Sequence, residues 1–96
     1  MVITAVELAG PPVFSVGDKV RSRSLIRNDG TFHGRRTGEV LVETGESGYV
    51  QGIGVFLQRY YIYDVDYFER GMIVGMRGHE LDLVESDHES HAVQEG

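Results

Sequence analysis

The chain has 96 residues, a formal net charge of −6 and no cysteine. That length holds one domain with a small core, and the missing cysteine excludes a thiolate nucleophile, a cysteine zinc site and a cysteine-ligated iron–sulfur cluster. Met1 to Leu8 lacks the basic start and long apolar run of a secretory signal, and no stretch approaches the roughly 20 apolar residues of a membrane span, so the expectation is a soluble, cytoplasmic protein.

Glycine is frequent, and short runs rich in Val, Ile and Tyr lie between Gly-containing turns. This pattern predicts small antiparallel strands rather than helices. The N-terminal segment 1–13 closes with Ala9-Gly10-Pro11-Pro12, a linker composition. The first strand is expected over Val16–Arg23, entered through Val16-Gly17-Asp18. Ser24–Gly38 reads as a long loop in which Asn28-Asp29-Gly30 supplies a tight turn. Strands over Glu39–Val42 and Tyr49–Phe56 follow, the latter bent or bulged where Gly52 and Gly54 interrupt it.

The clearest strand is Tyr60–Phe68. There Tyr61, Tyr63, Val65 and Tyr67 alternate with Ile62, Asp64, Asp66 and Phe68, which puts both aspartates on the solvent side. Tyr60, on the other parity, is a candidate exposed anchor. Glu69-Arg70-Gly71 turns the chain into a strand over Met72–Met76. A turn at Arg77–Glu80 leads to a last strand, Leu81–Val84, with Leu81 and Leu83 inward. Five to six short strands are best closed as a small barrel, which hides the edges. The order resembles SH3-like barrels, and the domain is expected over 14–84. Segment 85–96, acidic and poor in apolar residues, reads as a disordered tail.

Charge is distributed unevenly. Lys19, Arg21, Arg23, Arg27, Arg35 and Arg36 fall in one window with a single acid, Asp29, while the rest of the chain is strongly acidic. A positive strip on a negative body is a docking surface in outline, because local potential steers encounter. Arg suits carboxylates or phosphates through its planar fork. Small barrels with such strips also bind nucleic acid; the net charge and acidic tail oppose that. His88 and His91 in the tail lack the further ligands that would close a metal site. Asp64 and Asp66 have no partner base in view, and no glycine run has phosphate-loop context. The residues give no catalytic constellation, no metal site and no cofactor.

Taken in order, Phe14-x-x-Gly-Asp-Lys-Val-Arg, Arg27-Asn-Asp-Gly-Thr-Phe, Gly38-Glu-Val-Leu-Val, Gly48-Tyr-Val, Phe56-Leu-Gln, Ile62-Tyr-x-Val and Val74-Gly-Met-Arg-x-x-Glu80-Leu resemble the NifZ family of nitrogen-fixation accessory proteins. The resemblance runs from about Phe14 to Val84. It implies a small non-enzymatic factor that acts on the immature nitrogenase molybdenum–iron protein during P-cluster formation. The matching positions are Arg27, Asn28, Asp29, Gly30, Thr31 and Phe32, with Gly75, Arg77, Glu80 and Leu81 near the end. The first six, together with Arg35 and Arg36, form the expected partner-binding set. Where the family commonly has Pro-Gly after the aromatic, this chain has His33-Gly34 and then two arginines. The loop is thereby more basic, and freer than proline would leave it.

Overall fold

The tyrosine-rich run organises the architecture, because its alternating side chains need a core on one face only. In the computed structural model, which describes residues 7, 8 and 10–87, that run is an inner strand of the main sheet of an all-β fold, paired on both sides. The strands are β1 (Lys19–Ser22), β2 (Ile26–Arg27), β3 (Val40–Val42), β4 (Ser47–Phe56), β5 (Tyr60–Tyr67), β6 (Met72–Met76) and β7 (Leu81–Glu85), with a 3₁₀ turn at Gly78–Glu80 before β7. A five-stranded antiparallel sheet has the order β6-β5-β4-β1-β7, and β2 and β3 form a separate two-stranded sheet. Residues 1–6, 9 and 88–96, including most of the expected tail, lie outside the described residues. Among those described, no helix is long and apolar enough to cross a membrane.

The core follows the period-2 pattern. Tyr63, Val65 and Tyr67 of β5 are buried with Val20, Val50, Met72, Val74, Met76 and Leu81, and Leu41 and Val42 come in from the small sheet. Phe14 packs edge-on against Tyr63, with ring centroids 5.2 Å apart. Each fully buried large side chain contributes about 1.5–3 kcal/mol. β4 shifts register between Val50 and Gly52, at the bulge its glycines predict.

Several expectations need correcting. β1 begins later than Val16, because Asp18 folds back on the chain ahead of it. Its Oδ2 accepts from Ser15 N–H at 2.9 Å, and its own N–H donates to Ser15 O at 3.1 Å. The long loop contains β2, which pairs with β3 through Ile26↔Val42 and Arg27↔Val40. The strands therefore number seven among the described residues, not five or six. Leu81 is buried but Leu83 is 46% exposed: among the described residues β7 is an edge strand paired only with β1, and past its first residue it has left the core. The outer strands β6 and β7 are not paired with each other, so hydrogen bonding does not close the sheet among the described residues.

The described part of the N-terminal segment lies against β5. Glu7 Oε2 accepts from Tyr61 N–H at 2.8 Å, and Gly10 O accepts from the Tyr61 hydroxyl at 2.7 Å. At the other end, Asp87 N–H donates to Asp18 Oδ1 at 3.1 Å.

Candidate functional site

The β2–β3 pair holds the base of the loop 28–39. At that base, Asn28 N–H donates to Glu39 O at 2.8 Å and Gly38 N–H donates to Asn28 O at 2.6 Å. The ends of the loop are thus fixed before its side chains are considered.

Asn28 then fills the interior. It is only 2% exposed. Its Oδ1 accepts from the N–H groups of Gly30 (2.9 Å) and Phe32 (3.1 Å). Its Nδ2 donates to the carbonyls of Phe32, Arg35 and Arg36 at 3.0–3.1 Å. An amide suits this position because it presents an acceptor and two donors at once. Gly30 turns the chain at φ +105°, a region that favours glycine.

The rim is held by carboxylates. Asp29 Oδ1 accepts from Thr31 Oγ1 at 2.6 Å and from Thr31 N–H at 3.1 Å, and the hydroxyl bond is the main reason its pKa lies below the ordinary range. Glu39 accepts from Arg36 N–H at 3.1 Å and from Arg35 Nη1 at 3.1 Å, which lowers its pKa too, the backbone bond contributing most. A carboxylate held ionised in this way is a weak general base. These cross-links tie the loop on both sides of His33.

The expected partner-binding residues are therefore of two kinds. Arg27, Asp29, Gly30, Thr31, Arg35 and Arg36 are exposed and Phe32 is half-buried, whereas Asn28 lies inside and acts through the loop it holds. Phe32 packs on the core cluster from its edge. The basic window is partly neutralised: Arg35 pairs with Glu39, and Arg23 Nε lies 3.6 Å from Asp82. Arg27 Nη1 donates to Gly38 O at 2.9 Å, and Lys19 Nζ sits 5.9 Å from the Tyr49 ring.

A groove of about 470 Å³ runs between this loop and the main sheet. Arg27, Asp29, Thr31 and Phe32 line one wall, and Val74, Gly75 and Glu80 the other. Two stretches far apart in sequence thus meet at one surface. Of the other motif positions, Leu81 is core and Arg77 faces elsewhere, its guanidinium carbon 3.5 Å from the centroid of Tyr60. Tyr60 is consequently half-buried beneath Arg77 rather than an open anchor.

The sequence reading missed Glu39, whose role depends on closure of β2 on β3, and Glu46, which braces the β5–β6 turn through Arg70 Nε at 2.6 Å. Asp64 is exposed on the outer face of β5, between Gly52 and Gly75 in the register. Among the described residues, no group of three or more His, Asp or Glu side chains converges as a metal site would require. His88 and His91 lie outside the described residues.

Comparison with known proteins adds a family. The NifZ domain model matches residues 11–83. The chain is 47% identical over 76 residues to a putative NifZ protein of Sinorhizobium fredii, covering 79% of this chain and 70% of that one. It is 49% identical over 71 residues to a probable NifZ protein of Rhodobacter capsulatus, covering 74% and 91% respectively. Against protein NifZ of Azotobacter vinelandii it is 42% identical over 72 residues, 75% of this chain but only 45% of that longer one. No solved structure matches the chain at a significant level.

Proposed function

From the premise that this chain belongs to the NifZ family, whose role is an accessory one in nitrogen fixation, we propose that it is a non-enzymatic assembly factor of nitrogenase maturation. In this reading it works in the cytoplasm, docks on the immature molybdenum–iron protein and promotes formation of the P-cluster. One observation supports the docking site: Arg27, Asp29, Thr31 and Phe32 of one segment of the family resemblance line the same groove as Gly75 and Glu80 of another.

A loop already fixed by Asn28 and Glu39 loses little entropy on binding, which favours affinity. Phe32 is the anchor at the groove wall; Arg27, Arg35 and Arg36 steer the approach of an acidic surface. The chain has no cysteine, so the client supplies the cluster ligands. Such a factor shifts the client only if it binds the immature state more tightly than the mature one.

The fold reading that accompanies this proposal is an SH3-like barrel. β6 and β7 stand at opposite edges of the five-stranded sheet, yet only residues 77–80 link them. A link that short spans at most about 17 Å, which a curled sheet accommodates. Met76 and Leu81, on either side of the link, are buried in one core cluster.

The test is binding of the purified chain to molybdenum–iron protein arrested before P-cluster fusion, with the mature protein and a DNA duplex in parallel. Preference for the arrested form is expected. Replacing both Arg35 and Arg36 with Ala is expected to slow that association several-fold at low salt, about threefold or more. Equal or absent binding to the two protein forms overturns the proposal, and binding to the duplex alone makes the chain a nucleic-acid-binding barrel instead.

A further inference from the structure

A second groove, of about 500 Å³, shares the 3₁₀ turn with the first: Glu80 lines one groove, Gly78 and His79 the other. Its floor is an incomplete strand edge. β5 pairs with β4 from Tyr60 to Asp66, but β6 joins it only from Tyr63 onward. Among the described residues, Tyr60, Tyr61 and Ile62 therefore have no strand on their outer side. A bare edge amide is a hydrogen-bond donor available to an incoming chain.

Here a carboxylate takes that amide. Glu7 Oε2 accepts from Tyr61 N–H at 2.8 Å, and Glu7 Oε1 lies 3.6 Å from Arg77 Nη2. Arg77 is held in place by stacking on Tyr60. Its Nε is buried and makes no hydrogen bond among the described residues, and it is Nη2 that faces the Glu7 carboxylate. Pro11, Val13 and Tyr63 give the groove apolar walls. The segment that delivers Glu7 is tied to β5 by side-chain bonds rather than a strand ladder: the Tyr61 hydroxyl donates to Gly10 O, and the Tyr63 hydroxyl accepts from Val13 N–H at 3.0 Å.

We propose that this groove is a carboxylate-recognition site for an acidic residue in an extended segment of a partner protein, and that the chain's own Glu7 occupies it when no partner is present. The edge amide fixes one carboxylate oxygen and Arg77 the other, so the site selects a carboxylate over a neutral amide. The unpaired edge of β5 at Tyr60–Ile62 offers backbone pairing beside the carboxylate site, which makes an extended peptide its natural ligand rather than a small free acid. This site is separate from the 28–39 loop and does not depend on the docking role assigned to that loop.

The experiment is an amide NMR titration of the full chain carrying Glu7→Gln with a capped peptide of the sequence of residues 5–13. Saturable shifts are expected at the Tyr61 and Gly78 amides. Affinity should fall at least about fivefold when the peptide carries glutamine in place of its glutamate, or when the chain also carries Arg77→Gln. The unsubstituted chain should bind the peptide more weakly, because its Glu7 competes. Equal affinity for the glutamate and glutamine peptides, or no shift at Tyr61 with either, overturns the proposal. If the Glu7→Gln chain does not fold, excess peptide on the unsubstituted chain reads the same competition. A moving Tyr61 amide supports the site, and an unmoved one overturns it.

Discussion

Asn28 and Phe32 are bonded in both directions: Asn28 Oδ1 accepts from Phe32 N–H at 3.1 Å, and Asn28 Nδ2 donates to Phe32 O at 3.1 Å. The side chain thus behaves as a strand partner for the backbone, inside a loop that has no strand there. Asn28→Asp keeps the shape but turns a carboxylate toward the carbonyls of Phe32, Arg35 and Arg36. With donors lost and a charge buried, the expected cost is about 3 kcal/mol. Urea unfolding measures it, and a loss within about 0.5 kcal/mol of the original chain would show that the amide does not organise the loop.

The rim should loosen in acid. Thr31 holds the Asp29 carboxylate ionised, and Arg36 N–H and Arg35 do the same for Glu39, so both folded-state pKa values lie below their ordinary ones. The stability linked to each is fully present above the ordinary carboxylate range. It is lost as pH falls through the lowered folded values, below about pH 4. Carboxyl carbon NMR should report both groups titrating late, with the Thr31 and Arg36 amides shifting in step. Titration at or above ordinary values would break the link between these carboxylates and loop shape.

Gly48 is required for a different reason from Gly30. A Cβ placed on it would lie 2.6 Å from Asp66 O and 2.7 Å from Val65 Cγ1, and backbone cannot retreat as a side-chain end can. Gly48→Ala is therefore expected to cost about 3 kcal/mol through overpacking. The same change at Gly54, where nothing among the described residues lies within 4 Å, should cost far less. Thermal unfolding of the two variants decides: similar melting temperatures would mean the sheet relaxes freely at Gly48.

Much of this fold was legible locally. The β6 bounds follow from a short apolar run between two turns, and β5 from its alternating tyrosines, because period-2 patterning acts over neighbouring residues. β2 was not legible: two residues carry no alternation, and Ile26–Arg27 becomes a strand only by pairing with β3. The β4–β5 turn was placed by the strands on either side of it, but its conformation was not legible. Leu57 and Gln58 both take φ +54°, where sequence rules look for Asn-Gly. At the candidate site, Asn28-Asp29-Gly30 announced a turn, but the reach of Asn28 to Arg35 and Arg36, and the capture of Tyr60 by Arg77, arise from tertiary closure.

Tyr63 and Tyr67 offer the sharpest comparison, since both are buried on one face of β5 and differ in their hydroxyls. That of Tyr63 accepts from Val13 N–H at 3.0 Å. That of Tyr67 makes no hydrogen bond of ordinary geometry among the described residues; the neighbouring Ser22 hydroxyl donates instead to Ser24 O at 2.6 Å. Tyr63→Phe should therefore cost about 1 kcal/mol, whereas Tyr67→Phe should leave stability unchanged or raise it by up to about 1 kcal/mol. Burial, then the charges of Glu46 and Glu80, push the Tyr67 pKa upward. Its neutral form is the one the fold accepts, so the linked stability is fully present below about pH 10 and is lost as pH rises through the raised folded value. Tyr67→Phe should flatten that alkaline loss in urea unfolding at pH 8 and pH 11. If it costs as much as Tyr63→Phe at pH 8, the Tyr67 hydroxyl has a partner after all, and its burial is not the source of the alkaline sensitivity.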